Sequence, residues 1–227
     1  MEFSIVIPAY NEEKYIKRCI NAINKLNYPK NKYEIIVVNN NSTDKTESVI
    51  KTYKNLQLLN EARQGINYAR QKGLNKAKGK YYISIDADTI LPKNYLLIAK
   101  KLIKLNPHFS CIYGPVMPYD YKYKFISKII FIATIFLGLT IKHIYNCNAI
   151  YNTEKLRYID GFTNIPDSHK NYDDGVLSVL LAKNKILFAK ELVAYISIRR
   201  YVGLRFFSIF KNLYYYYKFY FTFKYKF

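Results

Sequence analysis

Cysteine is scarce in this 227-residue chain, which contains only Cys19, Cys111 and Cys147. The three are far apart and odd in number, so they provide neither a disulfide framework nor the paired spacing of a zinc site. Because sparing use of cysteine suits a reducing environment, we expect a cytoplasmic protein.

Long hydrophobic runs are also missing. The longest, residues 129–141, has 13 residues and includes two threonines and a glycine, which is too short to cross a bilayer comfortably. The first residues lack a basic segment followed by an apolar one, so we expect no signal peptide.

Acidic residues are few, with 16 Asp and Glu against 36 Lys and Arg and a formal net charge of +20. This charge favours binding to a polyanion, whether nucleic acid, an anionic membrane surface or a phosphorylated substrate, and does not choose among them. A biased composition with no functional meaning is the other interpretation. Half of the residues are hydrophobic, which is enough for a folded core.

The first 100 residues alternate between short apolar, β-branched runs and segments with helical spacing. Repeated β and α units with continuously apolar strands are typical of a parallel sheet covered by helices on both faces. We therefore predict an α/β fold. The predicted strands are residues 3–8, 33–38, 56–59 and 80–85, and the predicted helices begin near residue 11, after 42–44 and at 66.

The second half is less regular, and we assign residues 1–200 to one domain with halves 1–100 and 101–200. In the final segment, residues 201–227, 14 of 27 residues are aromatic and none is acidic, which predicts an amphipathic basic and aromatic tail. The elements predicted for the second half are strands at 111–116, 145–151 and 186–198, an apolar helix at 125–142 and a helix from 173.

Polar clusters follow three of the predicted strands, and in parallel sheets such strand ends form the ligand-binding edge. The pair Asp86 and Asp88 follows the fourth strand. Carboxylates placed in this way suit Mg²⁺ or Mn²⁺, whose coordination is often completed by substrate phosphates. An isolated Asp-x-Asp is common, and Asp88 capping the following turn is the alternative explanation.

The combined order of these motifs resembles glycosyltransferase family 2. The segments that carry the resemblance are FSIVIPAYNE at 3–12, IVVNNNSTD at 36–44 and DAD at 86–88. The resemblance implies a GT-A fold with a Rossmann-like, mostly parallel sheet. It also implies an inverting transferase that uses a nucleotide diphosphate sugar, a divalent metal and a glycan or lipid-linked acceptor.

The resemblance also implies a role for each matching residue. Asn39 stands where the family usually has an Asp that accepts a hydrogen bond from the base, which leaves the donor base open. Asp88 would bind the metal. The positions that match donor-binding positions are Pro8, Ala9, Glu12, Asn39, Arg63, Asp86 and the late basic pair Arg199 and Arg200.

Asp174 is the candidate catalytic base, because inversion by direct displacement needs a carboxylate that accepts the proton of the attacking hydroxyl. It lies in the segment YDDGVL, which resembles a family motif with a Glu–Asp pair at the start of a helix. Helix capping is the alternative role for Asp174, and the two roles are compatible.

The basic aromatic tail and the apolar segment 125–141 together predict peripheral attachment to an anionic inner membrane face. Packing of the tail on its own domain is the alternative. Two other functions stay open, a nucleic-acid-binding protein and a nucleotide-sugar-binding protein without transfer activity. No recognisable nucleic-acid module is present, so we expect no nucleic-acid partner.

Overall fold

A computed structural model of the chain describes residues 1–120, 124–141, 144–163, 165, 173–181 and 185–200. The predictions for the tail at 201–227 lie outside these residues. The strands are β1 Phe3–Ala9, β2 Tyr33–Asn39, β3 Gln57–Asn60, β4 Tyr81–Ser84, β5 Cys111–Tyr113, β6 Val116–Pro118, β7 Ala149–Asn152, β8 Ile186–Phe188 and β9 Ala194–Ile196. The helices are α1 Ile16–Asn24, α2 Thr46–Lys51, α3 Ile66–Lys76, α4 Tyr95–Leu105, α5 Lys124–Ile141, α6 Thr153–Tyr158 and α7 Asp173–Leu180.

A seven-stranded sheet in the order β3-β2-β1-β4-β7-β5-β8 forms the centre of the fold. Its first four strands run parallel, β7 lies antiparallel between β4 and β5, and β8 is parallel to β5. A second, two-stranded sheet pairs β6 with β9. The predicted α/β fold with a mostly parallel sheet is confirmed.

Helices cover the sheet on both faces, because alternate side chains of each buried strand point to opposite sides. Ile5 and Ile7 of β1 pack in one core cluster with residues of α1, α2 and α4. Val6 of the same strand packs in the other cluster, with residues of α3, α6 and α7. The continuous apolar run of β1 is therefore required by burial on both sides.

Three predicted boundaries are wrong. The strand predicted at 111–116 ends at Tyr113, and Val116 begins β6 of the second sheet. The first helix begins at Ile16 and not near residue 11, because Asn11 has a φ of 54°, which no helical residue adopts. The strand predicted at 145–151 begins only at Ala149, because residues Asn146–Asn148 form a 3₁₀ turn. Asn148 fixes that turn by donating its side-chain amide to the carbonyls of Pro115 and Leu192.

No helix within the described ranges is both long and apolar enough to cross a membrane. The longest of them, α5, lies between β6 and the turn before β7.

Candidate donor site at the carboxyl edge of the sheet

The loops after β1 and β2 are joined by a set of hydrogen bonds. The Asn11 side chain accepts from the Thr43 backbone N–H at 2.8 Å, and the Glu12 N–H donates to Thr46 Oγ1 at 2.7 Å. Asp44 also accepts from the Thr46 N–H at 2.9 Å. These contacts fix the backbone at Asn11 and Glu12 beside the loop that follows β2, as the placement of the motifs predicts.

Asp86 is held by a buried ion pair that the sequence motifs do not include. Arg70 on α3 donates from Nη2 to Asp86 Oδ1 at 2.8 Å, with its side chain only 3% exposed. The position of Arg70 could have indicated such a pair, because Arg70 lies on the buried side of α3 with Ala69 and Leu74. A cation on the buried side of a helix needs a carboxylate partner.

Asp88 and Glu12 are joined by one guanidinium group. Arg199 Nε donates to Asp88 Oδ2 at 3.1 Å, and Arg199 Nη2 forms an ion pair with Glu12 Oε1. The same guanidinium lies 4.3 Å from the centre of the Tyr15 ring. Residues at opposite ends of the sequence therefore meet at the carboxyl edge of β1 and β4.

Negative charge dominates this edge. The pKa of the Cys19 thiol is raised well above its usual value by burial and then by the charges of Asp88, Asp86 and Glu12. Burial and the Asp88 carboxylate likewise raise the pKa of Tyr119 to about 12. A neutral thiol and a neutral phenol thus border the carboxylates, and neither offsets their charge.

Each carboxylate at this edge is paired with an arginine, Asp86 with Arg70 and both Glu12 and Asp88 with Arg199. Glu12, Asp86 and Asp88 provide three carboxylates, against the two guanidinium groups of Arg70 and Arg199. Glu12 Oε2 is buried and has no hydrogen-bond partner among the described residues. Within the described ranges, no three or more His, Cys, Asp or Glu side chains are grouped closely enough to hold a metal ion. A cation bound at this edge would therefore take most of its coordination from a ligand such as phosphate.

Asn39 is part of a polar network at the end of β2. Its amide nitrogen donates to Glu47 Oε2 at 3.3 Å and to Asn60 Oδ1 at 3.2 Å, and its oxygen accepts from the Ser42 N–H at 3.2 Å. Only an amide can make all three contacts, because a carboxylate cannot donate and would repel Glu47. The departure from the usual Asp is therefore matched by its neighbours.

The other predicted donor residues surround this network. Arg63 is largely exposed, forms a 3.0 Å ion pair with Glu61 and stacks on Tyr68. Glu61 has its pKa lowered by the hydrogen bond from Arg63. Pro8 and Ala9 are buried in β1 and shape the strand end without presenting a polar side chain.

Asp174 lies in the first turn of α7, as predicted, and its Oδ1 accepts from the Asn146 backbone N–H at 3.0 Å. Asn146 precedes β7, whose Ala149 is paired with Ser84 at the end of β4. Asp174 is therefore tied to the same sheet edge as Asp86. Arg200 follows Arg199 in a 3₁₀ turn, and its side chain lies outside the described part of the structure.

Curated relatives align with less than half of this chain. A poly(ribitol-phosphate) β-N-acetylglucosaminyltransferase of Staphylococcus aureus, TarS, is 32% identical over 108 residues, which is 45% of this chain and 19% of that protein. A dolichyl N-acetyl-α-D-glucosaminyl phosphate diacetamido-dideoxy-glucuronosyltransferase of Methanococcus voltae is 34% identical over 99 residues, 41% of this chain and 31% of that protein. The chain thus spans less than a third of either relative.

Solved structures share the fold over most of the chain. TarS residues 1–349 superpose with a TM-score of 0.70 at 22% identity, covering 87% of this chain and 60% of that one. A mannosyltransferase from Pyrobaculum calidifontis, solved with GDP-mannose and Mn²⁺, gives a TM-score of 0.68 at 21% identity, covering 87% and 57%. The family model for glycosyl transferase family 2 matches residues 4–160, well over half of the chain. With the GT-A fold and the motifs at its sheet edge, this match makes the chain a member of glycosyl transferase family 2.

Proposed function

We propose that the protein transfers a sugar from a nucleoside diphosphate sugar to a hydroxyl acceptor, with inversion at the anomeric carbon. The observation that carries this proposal is the meeting of Glu12, Asp88 and Arg199 at the carboxyl edge of the sheet. Carboxylates for a cation and a guanidinium for phosphate are what a diphosphate leaving group requires. The relatives add support, because TarS has been solved with UDP and with UDP-GlcNAc.

The donor would lie across the ends of β1, β2 and β4. Asn39 and Arg63 would then lie beside the base, and Asp86, which Arg70 holds at the end of β4, would bind the ribose. Arg199 would turn from the carboxylates to the diphosphate, where its planar guanidinium can bind two oxygens. Arg200 follows it in the chain and is proposed for the same group.

Asp88 would be the direct ligand of Mn²⁺ or Mg²⁺. When bound, the cation would neutralise the charge that develops on the departing diphosphate. The carboxylates of Glu12, Asp86 and Asp88 are all buried at this edge, so an added positive charge would reduce the repulsion among them.

Asp174 would act as the general base. The acceptor oxygen forms its bond to the anomeric carbon while the bond to the diphosphate oxygen breaks, and the hydroxyl proton passes to the Asp174 carboxylate. The N–H of Asn146 fixes one oxygen of that carboxylate. A held carboxylate is oriented for this transfer without losing its charge.

The acceptor class is proposed from the names of the relatives, one of which acts on a polymer and another on a lipid phosphate. We therefore propose a glycan or lipid-linked glycan acceptor. The choice between them depends on surfaces outside the donor site.

The direct test is a donor hydrolysis screen. Purified protein is incubated with UDP-, GDP-, CDP- and dTDP-sugars in Mn²⁺ or Mg²⁺, and release of the nucleoside diphosphate is measured before and after EDTA. We expect turnover of one base class that stops on chelation and returns when the metal is restored. Turnover that persists in EDTA would contradict the role of Asp88, and no turnover of any donor would contradict transfer.

A further inference from the structure

Helix α5 presents a stripe of large apolar side chains to solvent. Its members, each more than half exposed, are Phe125, Ile129, Ile132, Phe136 and Leu139. Their spacing alternates between four and three residues, so they lie along one side of the helix. At 1.5 Å per residue the stripe is roughly 20 Å long, and contiguous apolar surface of this kind marks an interaction site.

The opposite side of α5 is fixed to the domain. Thr134 Oγ1 hydrogen-bonds the backbone of Val116 on β6, and the Tyr113 hydroxyl donates to the Gly138 carbonyl at 3.0 Å. Ser127 and Ile130 are also buried on this side. The domain therefore holds the helix in place without using its apolar stripe.

The surroundings of the stripe are basic. Helix α5 contains no acidic residue, and Lys124 and Lys128 are exposed on its first two turns. Strand β8, whose Phe188 lies against Gly138, is bordered by exposed Lys185 and Lys190, with Glu191 as the acidic neighbour. The whole chain has a net charge of +20, so a second copy would meet like charge, whereas an anionic surface would be attracted.

We infer that α5 seats the protein on an anionic membrane surface, with the apolar stripe at the level of the upper acyl chains. Lys124 and Lys128 would then lie among the phosphate headgroups. A helix with apolar residues on one side and lysines near its end binds membranes in this orientation without crossing them.

Described residues on either side of α5 in the sequence contact the proposed site. Before the helix, Asp120 accepts from the backbone N–H of Ile198, the residue next to Arg199. After it, Ile144 and Asn146 donate to Ser178 and Asp174 of α7. Docking would thus bring a lipid-linked hydroxyl close to the proposed base, a step that rests on the proposed function, whereas docking itself does not.

The chain contains no tryptophan, so one introduced tryptophan reports on a single position. The reporter is Ile132→Trp, and the control is Leu105→Trp at the end of α4, where the exposures are 65% and 66%. Each full-length variant is mixed with vesicles of phosphatidylcholine and phosphatidylglycerol or of phosphatidylcholine alone. We expect a blue shift of emission only for Ile132→Trp, only with the anionic vesicles, and weaker in high salt.

Three outcomes would overturn the inference. One is an Ile132→Trp emission that the anionic vesicles leave unchanged. Another is emission already blue without vesicles, which would mean that the stripe is covered by the chain's own tail. The third is emission that shifts with protein concentration in the absence of lipid, which would assign the stripe to self-association.

Co-flotation separates the apolar and basic contributions. The pair Ile132→Ser/Phe136→Ser is compared with Leu97→Ser/Leu105→Ser, which removes apolar side chains that are exposed on α4. We expect about tenfold weaker vesicle binding for the α5 pair only, since both side chains would lose their burial in the acyl region. Equal binding by the two pairs would exclude α5 as the docking surface.

The contribution of the lysines is tested with two variants that have the same net charge as each other. Lys124→Glu/Lys128→Glu is compared with Lys101→Glu/Lys104→Glu, which alters the exposed side of α4 by the same four charges. We expect the α5 variant to bind anionic vesicles several-fold more weakly than the α4 variant. Identical losses would show that only overall charge matters and would contradict a defined docking face.

Discussion

The Arg199 guanidinium occupies the position beside Asp88 where a divalent cation is proposed to bind, with Nε 3.1 Å from Asp88 Oδ2. It also contacts Glu12, so one guanidinium bridges two carboxylates at the sheet edge and offsets the charge of one of them. Metal binding at Asp88 therefore requires Arg199 to leave or to share that carboxylate. A guanidinium released in this way would be free to meet the diphosphate.

Substitution of Arg199 should separate metal binding from transfer. In Arg199→Gln the competing cation is gone, so we expect Mn²⁺ alone to bind about tenfold more tightly, while transfer falls. Isothermal titration of Mn²⁺ into the donor-free protein measures the first effect. Arg18→Gln is the control, because Arg18 stacks on Tyr119 at 4.2 Å in the same region. Weaker Mn²⁺ binding by Arg199→Gln would refute the competition.

The Arg70–Asp86 pair should contribute strongly to stability. Arg70→Met leaves the Asp86 carboxylate buried without this partner, and we expect the free energy of unfolding to fall by about 3 kcal/mol. Adding Asp86→Asn should recover part of the loss. Urea denaturation of the two single variants and the double variant measures the coupling.

The control for this cycle is Lys51→Met, which breaks an exposed ion pair with Glu47 on α2. We expect it to cost clearly less than Arg70→Met, because exposed pairs are well solvated. Similar losses for Arg70→Met and Lys51→Met would mean that burial of the Asp86 charge has little effect.

Restoring the family's usual residue at Asn39 should destabilise this chain. Asn39→Asp removes the donor to Asn60 and places a carboxylate 3.3 Å from Glu47, and we expect a loss of about 1–3 kcal/mol at pH 7. Repulsion would raise the pKa of the new carboxyl in the folded state. The folded protein then binds its proton more tightly than the unfolded chain, so the loss should shrink as the pH falls.

A second change tests whether Glu47 is the cause. In Asn39→Asp/Glu47→Gln, the glutamine amide can donate to the new carboxylate, and most of the stability at pH 7 should return. Thermal unfolding at pH 7 and pH 5 provides the comparison. A single variant as stable as the parent at pH 7 would show that position 39 tolerates either residue.

Loss of the Asp174 charge should affect turnover and leave donor binding intact. Asp174→Asn keeps an oxygen that can accept from Asn146, so the fold should hold, while we expect kcat to fall about 10²–10⁴-fold. Glu154→Gln is the matched control, because Glu154 is an acidic residue in the first turn of α6. Normal turnover by Asp174→Asn with any active donor would remove its assignment as base.

Much of the site could be predicted because its residues follow strands. Glu12, Asn39 and Asp86 each come shortly after an apolar run, and parallel strands bring such positions to one edge. The alternation of strands and helices also predicts the mostly parallel sheet. Both inferences need only short sequence segments and the order in which strands and helices follow one another.

The contacts between side chains could not be predicted in the same way. Arg70 shares the buried side of α3 with Ala69 and Leu74, but its partner Asp86 is identified only after α3 packs against β1 and β2. The compensation of Asn39 by Glu47 and Asn60 involves three separate elements. The 3₁₀ turn before β7 depends on Asn148 reaching carbonyls of residues 115 and 192. Each of these contacts exists only after distant segments meet.

The antiparallel strand β7 also imposes an order of assembly. Strands β3, β2, β1 and β4 form a continuous parallel unit from the first 84 residues, so the pairing of these four strands needs no strand that is synthesised later. By contrast, β5 joins the sheet through β7, and 35 residues separate the end of β5 from the start of β7. During translation, the nucleotide-side half should therefore consolidate first. The half with Asp174 and Arg199 should pack against it only after β7 pairs with β4, with Ala149 opposite Ser84. This pairing is long-range in the sequence and should therefore form late.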